Sequence, residues 1–445
     1  MFSARSGAGF AAGGASNLTR RRLLGLSAGA GVALLASACG AGGDSGSGSG
    51  GAKTLSLVCE GGGKIELQPI VDKFQRETGT TVTLIELPYE GLFNRLTSEL
   101  GGGNASFDLC AVDAVWLPLF AGKLAPIDDL FTSAVQADLF PALVKEPKVG
   151  DHFVGMPVWT NAEVLLYRTD LFEDAKEKAA FKGKYGYELA APTTWQQFTD
   201  VARFFTRPAQ KLYGTDVKGK VETEWLAHVL QAGSPGVILD QAGAVIVDNA
   251  EHLAALTFYA DLQNTFKVSP AGAAQIDWNA AQTLFNQGGT AMTRFWAHAY
   301  RQIPADAAVA GKVGVAPMIG GSAGVAGIPG PWYLSIPQSS TKQELAKQFI
   351  QFCYDNNAMS LSTTLGLAAR KSAYQQYADK KGFEAFGPLL STLDAKATAS
   401  RPAHPKWQQI VDSALIPMLQ KAVAPGADYA GLLKATRSQI EGIIK

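Results

Sequence analysis

Two acidic residues stand at the ends of short apolar segments in the first quarter of the chain. Glu60 follows the segment 54–59, and Asp113 follows the segment 107–112. Carboxylates make strong, charge-assisted hydrogen bonds to the hydroxyl groups of a ligand. Two opposed carboxylates in an aromatic cleft are also what a glycosidase requires. The pair therefore indicates a polyhydroxyl ligand, and at this point both binding and hydrolysis remain open.

Motifs of other enzyme classes are missing from the sequence. It contains no His-Glu-x-x-His and no Gly-x-Ser-x-Gly, and its five histidines are scattered. Glu224 and His228 stand four residues apart on a predicted helix, but a lone pair of this kind is more typical of a surface than of a metal site. The glycines at 61–63 lack the Lys-Ser/Thr of a nucleotide-binding loop. We therefore predict no enzymatic activity, no cofactor and no metal.

The acidic pair belongs to an alternation of predicted strands and helices. Segments 54–59, 81–85 and 107–112 have the short apolar character of buried strands, and helix-period segments connect them. This order predicts a parallel sheet covered by helices, the pattern of an α/β protein. Ligands of such sheets bind beyond the carboxyl ends of the strands, which is where Glu60 and Asp113 fall.

The N-terminus has the pattern of a targeting segment. Arg20, Arg21 and Arg22 precede an apolar stretch that is shorter than the roughly 20 residues of a spanning helix. Small residues then lead to Cys39, as in a bacterial lipobox. We predict a twin-arginine-type lipoprotein signal peptide at 1–38, lipidation of Cys39, and a flexible Gly/Ser tether at 39–52. Signal cleavage nearby without lipidation is the alternative.

Composition and cysteine count narrow the class further. The chain has 445 residues, balanced charges and 47% hydrophobic residues, so nothing draws it generally to nucleic acid. Beyond Cys39, the cysteines are Cys59, Cys110 and Cys353, and an odd number cannot pair completely within the chain. Buried free thiols are the expectation, with a Cys59–Cys110 bridge as the alternative.

Six sequence blocks in a fixed order carry a resemblance to a known family. The blocks are 107–116, 155–161 with 166–172, 192–195, 285–292 with Trp296, 330–337 with 344–349, and Arg401-Pro402 with Trp407. Together with the lipoprotein signal, they make the chain resemble the extracellular solute-binding proteins of family 1, the maltose/trehalose-binding group. The resemblance covers essentially everything after the tether.

The resemblance implies a periplasmic-binding-protein-like fold of type II, with two α/β lobes, a hinge and an interlobe cleft. Lobe one would hold 53–158 plus 328–356, and lobe two would hold 159–327 plus 357–445. The chain would be the sugar-binding subunit of an ABC importer. It would close on a disaccharide of the trehalose or maltose type and deliver it to the transmembrane subunits of a permease. We expect an extracytoplasmic, lipid-anchored monomer that has no nucleic-acid partner.

The same resemblance implies a set of ligand-binding residues that combines charged groups with flat aromatic surfaces. The set is Glu60, Asp113, Trp159, Asn161, Trp296, Gly330, Trp332, Tyr333 and Arg401. Related trehalose and maltose binders often carry Asp where this chain has Asn161, so the exact disaccharide stays open.

Other interpretations of these residues and of the ligand remain. Asp113 could cap the following helix, Glu60 and Arg401 could form surface ion pairs, and Trp116 could lie buried beside the cleft. The ligand could instead be an oligosaccharide, a polyol or a glycerol-phosphate. A carbohydrate-active surface enzyme and an adhesin without a transport role are the alternatives from other classes.

Overall fold

The computed structural model describes residues 53–377 and 380–445. The predicted signal peptide, Cys39 and the tether up to residue 52 lie outside these residues. Within the described ranges, no helix combines the length and the apolar character needed to cross a membrane.

Strands and helices alternate along most of the chain. In chain order the strands are β1 Thr54–Glu60, β2 Thr81–Leu87, β3 Leu109–Asp113, β4 Lys148–Val149, β5 His152–Phe153, β6 Met156–Trp159, β7 Glu163–Arg168, β8 Met292–Trp296, β9 Val313–Ala316, β10 Gly320–Gly321, β11 Gly324–Val325 and β12 Trp332–Ser335. The α-helices are α1 Gly63–Thr78, α2 Tyr89–Gly102, α3 Leu117–Phe120, α4 Ser133–Asp138, α5 Pro141–Lys145, α6 Thr169–Phe172, α7 Ala175–Tyr185, α8 Trp195–Phe205, α9 Thr223–Gln231, α10 Ala250–Asn264, α11 Trp278–Asn286, α12 Gln343–Asp355, α13 Lys371–Gln375, α14 Phe386–Leu393, α15 Trp407–Ile410, α16 Ile416–Ala422 and α17 Tyr429–Ile444.

The larger sheet has the strand order β2-β1-β3-β12-β6. β1 runs parallel to β2 and β3, as the alternation of strands and helices predicts. β12 comes from far along the chain and lies antiparallel between β3 and β6. Because β12 runs in the opposite direction, its first residue lies at the same sheet edge as the last residues of β1 and β3.

Helices cover this first sheet through apolar stripes. α1 buries Leu67, Ile70 and Phe74, and the edge of the Phe74 ring meets Phe349 of α12 with ring centroids 5.1 Å apart. Gly79 ends α1 with a φ of 71°, a left-handed conformation that a residue without a side chain adopts easily. The packing confirms that a helix connects the first two predicted strands.

The smaller sheet has the strand order β8-β7-β9 and is antiparallel. Its central strand β7 is almost fully buried, and α14 packs against it.

Three segments of chain pass between the two sheets, and hydrogen bonds join them to one another. The Thr160 N–H donates to the Ala368 carbonyl at 2.9 Å, and the Gly330 N–H donates to the Asn161 carbonyl at 2.8 Å. The buried Asn357 side chain donates to the Val158 carbonyl at 2.7 Å. The crossings expected near 159, 328 and 357 therefore lie side by side.

The third crossing segment continues to pack on the first sheet's side beyond residue 357. The Arg370 guanidinium pairs with Asp138 at 2.7 Å, and the Ser372 hydroxyl donates to the same carboxylate at 2.6 Å. α14, by contrast, packs on β7 of the second sheet. The lobe boundaries stay a prediction, and these contacts favour a later start of lobe two than residue 357 in this part of the chain.

Cys59, Cys110 and Cys353 are all free and buried. Burial raises the pKa of the Cys59 thiol to about 12, and it raises the pKa values of the other two thiols as well. The expectation of buried thiols is therefore confirmed for the three cysteines that the structure describes.

We expect the folded protein to be inert to thiol reagents. In a Cys39→Ser chain without reductant, a colorimetric thiol assay should detect almost no reaction in the native state, because buried thiols do not ionise. In denaturant, the same chain should react at all three thiols. Loss of two of them in denaturant would mean that Cys59 and Cys110 are bridged after all.

Candidate functional site

Asp113, Trp332 and Trp159 form one row across three neighbouring strands of the first sheet. Trp332, the first residue of β12, is the register partner of Asp113 on one side and of Trp159 on the other. All three lie at the edge where the parallel strands end. Strand pairing therefore brings together three predicted ligand residues that are far apart in the sequence.

Both carboxylate oxygens of Asp113 are engaged by the protein. Oδ1 accepts hydrogen bonds from the Arg401 guanidinium at 3.0 Å and from the Val115 N–H at 3.2 Å, and Oδ2 accepts one from the Tyr89 hydroxyl at 3.0 Å. The bond to Val115 caps the short 3-10 turn Ala114–Trp116. The Asp113 side chain therefore caps this turn and also lies in the strand-end row of the candidate site.

Arg401 is a buried partner rather than half of a surface ion pair. Its side chain is 9% exposed, and that of Asp113 is 6% exposed. Burial alone would lower the pKa of Arg401, but the nearby Asp113, Tyr89 and Glu222 raise it above the usual value for arginine. The guanidinium is therefore a fixed positive charge beside the row of strand-end residues.

Aromatic rings surround this ion pair. Tyr89 and Trp116 lie 4.6 Å apart between centroids, and Trp332 meets Trp116 edge-on at 5.6 Å. On its other side Trp332 lies 6.2 Å from Trp159. Trp116 is 1% exposed, as in the interpretation that buries it beside the cleft. Trp332 and Trp159 are the indoles that share the strand-end row with Asp113.

Glu60 ends β1 at the same edge, and its carboxyl group makes no hydrogen bond or ion pair with another residue among those described. Burial raises the pKa of this half-buried carboxyl to about 7, and the nearby carboxylates of Asp113 and Glu86 add to the rise. Because Asp113 is already saturated, Glu60 is an acceptor that remains available to a ligand hydroxyl.

Glu222 is a site residue that the sequence analysis missed. It directly precedes α9 and lies close enough to Arg401 and Asp113 for their charges to act on it. Burial and the Asp113 charge raise the pKa of Glu222, while Arg401 opposes the rise. Its side chain forms no hydrogen bond with another described residue. Tyr89, which bonds to Asp113, was also not predicted, because no local sequence pattern distinguishes it.

Asn161 and Trp296 lie on the side of the second sheet. The Asn161 amide donates to Nδ1 of His298 at 2.7 Å, and burial lowers the pKa of His298 to about 4, so the imidazole is neutral and accepts. A Cβ placed on Gly330 would lie 2.9 Å from the Trp296 ring, so only glycine permits this close approach. Trp278 flanks Trp296 at 5.7 Å.

Tyr333 lies near Asp113, but its side chain is engaged within the protein. It is fully buried, and its hydroxyl donates to Glu146 at 2.6 Å. Successive side chains of a strand point to opposite faces, so Tyr333 faces away from the side on which Trp332 lies. Its contact with a ligand stays a prediction, and the structure gives it an internal hydrogen bond instead.

The expectation that Glu224 and His228 lie on the surface is wrong. Both are completely buried, and Arg294 bridges them: its guanidinium pairs with Glu224 and contacts Nε2 of His228 at 2.6 Å. Lys218 adds a second ion pair to Glu224 at 2.6 Å. Buried charges are tolerated when they are paired in this way. Among the described residues, no three metal-ligating side chains gather into a possible metal site.

These features define a two-lobed α/β binding protein, with polar and aromatic residues collected where the chain crosses between sheets. The family model of the bacterial extracellular solute-binding proteins matches residues 61–360, which is more than half of the chain. The chain therefore belongs to this family of binding proteins, which are not enzymes and which act outside the cytoplasm.

Individual relatives and structures agree with this assignment. A probable ABC transporter-binding protein of Deinococcus radiodurans is 27% identical over 84% of this chain and 91% of its own length. A mannitol-binding protein of Pseudomonas aeruginosa is 25% identical over 67% of this chain and 68% of its own. The maltose-bound MalE3 of T. maritima superimposes with a TM-score of 0.74, at 24% identity, over 88% of this chain and all of that chain. The structural likeness shows the fold with two α/β lobes.

We expect Arg401→Met to lower the free energy of unfolding by about 3 kcal/mol, because it leaves the Asp113 carboxylate buried without its main partner. Urea unfolding followed by circular dichroism would measure the loss. Arg437→Met is the matched control: Arg437 also bridges two acids, but it is 44% exposed, so we expect a much smaller loss. Equal losses in the two variants would contradict a buried role for Arg401.

Proposed function

We propose that this protein is the substrate-binding subunit of an ABC importer and that it binds a neutral sugar or polyol between its two lobes. Ligand that touches both lobes favours the closed arrangement, so its binding shifts the population of the hinge. The closed form would then dock on the transmembrane subunits of a permease. A disaccharide of the trehalose or maltose type is the specific ligand we favour.

The proposal is supported mainly by the residues at the edge of the first sheet where β1, β3 and β6 end and β12 begins. Asp113 and Arg401 form a fixed polar centre, Glu60 offers a carboxyl without a side-chain partner among the described residues, and Glu222 lies close to the pair. Charged acceptors suit adjacent hydroxyls, and an indole such as Trp332 suits the C–H face of a sugar ring. The Arg401 guanidinium is already paired with Asp113, so it has little charge left to offer a phosphate group.

A polyol is the second candidate, and a specific relative favours it. The Pseudomonas aeruginosa protein that matches this chain is named a mannitol-binding protein. A linear polyol also presents adjacent hydroxyls, but it has no ring face. Dependence of binding on Trp332 would therefore separate a sugar ring from a polyol.

The N-terminal features complete the proposal. We infer that the segment 1–38 directs export through the twin-arginine route and that Cys39 carries the lipid anchor. The protein would act as a monomer tethered to the outer face of the cell membrane. Mass spectrometry of the membrane-extracted protein tests this: an unmodified N-terminus in the mature chain would refute the anchor.

A panel of maltose, trehalose, mannitol and ribitol should contain at least one ligand that changes the tryptophan fluorescence. For that ligand, Trp332→Ala should weaken binding at least tenfold, or about 1.4 kcal/mol, if a sugar ring stacks on the indole. Trp195→Phe is the control, because Trp195 packs on Phe258 in the second lobe, and it should leave the affinity unchanged. Release of hydrolysis products during incubation would reject the binding role.

Affinity for that ligand should rise with pH through about 7. The ligand hydroxyls donate to ionised Glu60, whose pKa burial raises to about 7, so protonation at lower pH removes the acceptor. We expect binding at pH 6 to be up to about tenfold weaker than at pH 8. Glu60→Gln should bind more weakly at pH 8 and lose the pH dependence in this range. An unchanged profile in the variant would exclude contact between Glu60 and the ligand.

A further inference from the structure

Glu66 is a buried carboxyl group on α1 that none of the ligand contacts explains. It is 1% exposed, and both of its oxygens face the crossing segment 357–370. Oε1 accepts a hydrogen bond from the Leu367 N–H at 3.0 Å, and Oε2 lies 2.8 Å from the Thr363 hydroxyl oxygen. The Ser360 hydroxyl donates to the backbone carbonyl of Glu66 at 3.0 Å. A single residue thus holds the crossing segment at three points.

Counting hydrogen atoms indicates the protonation state of Glu66. The Thr363 hydroxyl lies 2.8 Å from the Ser360 carbonyl as well as 2.8 Å from Glu66, and it has one hydrogen to give. A carbonyl can only accept, so a proton on Glu66 Oε2 satisfies both contacts at once. Glu66 then donates to Thr363, and Thr363 donates to Ser360.

The charges around Glu66 agree with this assignment. Burial raises the pKa of Glu66 to about 8, although the contacts with Thr363 and Leu367 and the charge of Arg301 oppose the rise. Arg301 gives its own hydrogen bonds to the carbonyls of Thr363 and Gly382 and gives none to Glu66. Tyr374 of α13 also faces the group, but its hydroxyl is bound to the Ala368 carbonyl.

The segment that Glu66 holds rests on the turn that follows Glu60. Gly62 has a φ of 99°, and a Cβ there would lie 2.8 Å from Leu365 Cδ1, so Leu365 packs directly on the turn. On its other side the Gly62 N–H donates to Glu86 at 2.7 Å. A displacement of the crossing segment would therefore release the turn between β1 and α1.

We propose that Glu66 is a positioning residue of the ligand cleft: as a neutral carboxylic acid it joins α1 to the crossing segment 357–370 and so fixes the turn that carries Glu60. Ionisation turns the Thr363 hydroxyl toward Glu66, which costs its bond to the Ser360 carbonyl, and it places a charge in a buried contact. The effect on ligand affinity rests on the proposed function, whereas the effect on the crossing segment is independent of it.

The test compares the full-length protein with Glu66→Gln and Glu66→Ala at pH 6 and pH 9. Between the ordinary glutamate pKa of 4.5 and about 8, the folded chain holds a proton that the unfolded chain releases, so rising pH lowers the thermal midpoint of the wild type. The amide of Gln has a donor and an acceptor and does not titrate. Relative to wild type, we therefore expect Glu66→Gln to melt at a higher temperature at pH 6 and by a wider margin at pH 9. Glu66→Ala should melt lower at both.

Hydrogen exchange of peptides that cover 360–370 measures local opening of the crossing segment, separately from the stability of the whole protein. After correction for intrinsic rates, the Leu367 region should lose protection in the wild type at pH 9 and keep it in Glu66→Gln. Glu99→Gln is the control, because Glu99 is another lobe-one glutamate that lies near the surface, and it should show the same difference from wild type at both pH values.

Two results would overturn the role of Glu66. One is a Glu66→Gln chain that melts below the wild type by the same amount at pH 6 and pH 9, which would mean that the native group is an ionised carboxylate. The other is exchange protection at 360–370 that does not change with pH in the wild type. If no sugar or polyol binds, the proposed function fails, yet the melting and exchange results still decide the role of Glu66.

Discussion

The buried ion pair between Asp113 and Arg401 is the interaction around which the candidate site is arranged. It joins the end of β3 to a segment close to the C-terminus, and Tyr89 ties the start of α2 to the same carboxylate. Two charges shielded from water are stable only when their hydrogen-bonding capacity is filled, and Asp113 has three donors. The pair is therefore rigid, and the acceptors left for a ligand are the unpaired carboxyls beside it, Glu60 and Glu222.

Much of the fold could be predicted from the sequence because the first three strands follow one another closely in the chain. Glycines mark the boundaries between these strands and the helices that connect them. The segments that became β1, β2 and β3 are short and rich in apolar residues, and helix-period residues such as Leu67 and Phe74 lie between the first two. The place of β12 could not be derived in that way. Its partners are distant in the sequence, and local periodicity has no information about such pairing; only the resemblance to a family supplied it.

The candidate site was predictable in part, for related reasons. Glu60 and Asp113 could be placed because parallel strands end at a common edge. Glu222 was missed because it precedes an ordinary helix, and nothing in its neighbours indicates that Arg401 comes near. The same limitation explains the wrong expectation for Glu224: its burial depends on Lys218 and Arg294, which reach it only in the folded chain.

The central position of β12 constrains the order in which the protein can fold. Cys110 and Ser335 face each other across β3 and β12, yet they are 225 residues apart in the chain. While the ribosome is still making the intervening sequence, β3 and β6 have open edges that are prone to pairing with other chains. Contacts of such long range also slow folding. We therefore expect the nascent chain to depend on a chaperone until the last third has emerged, and lobe one to acquire its native core only then.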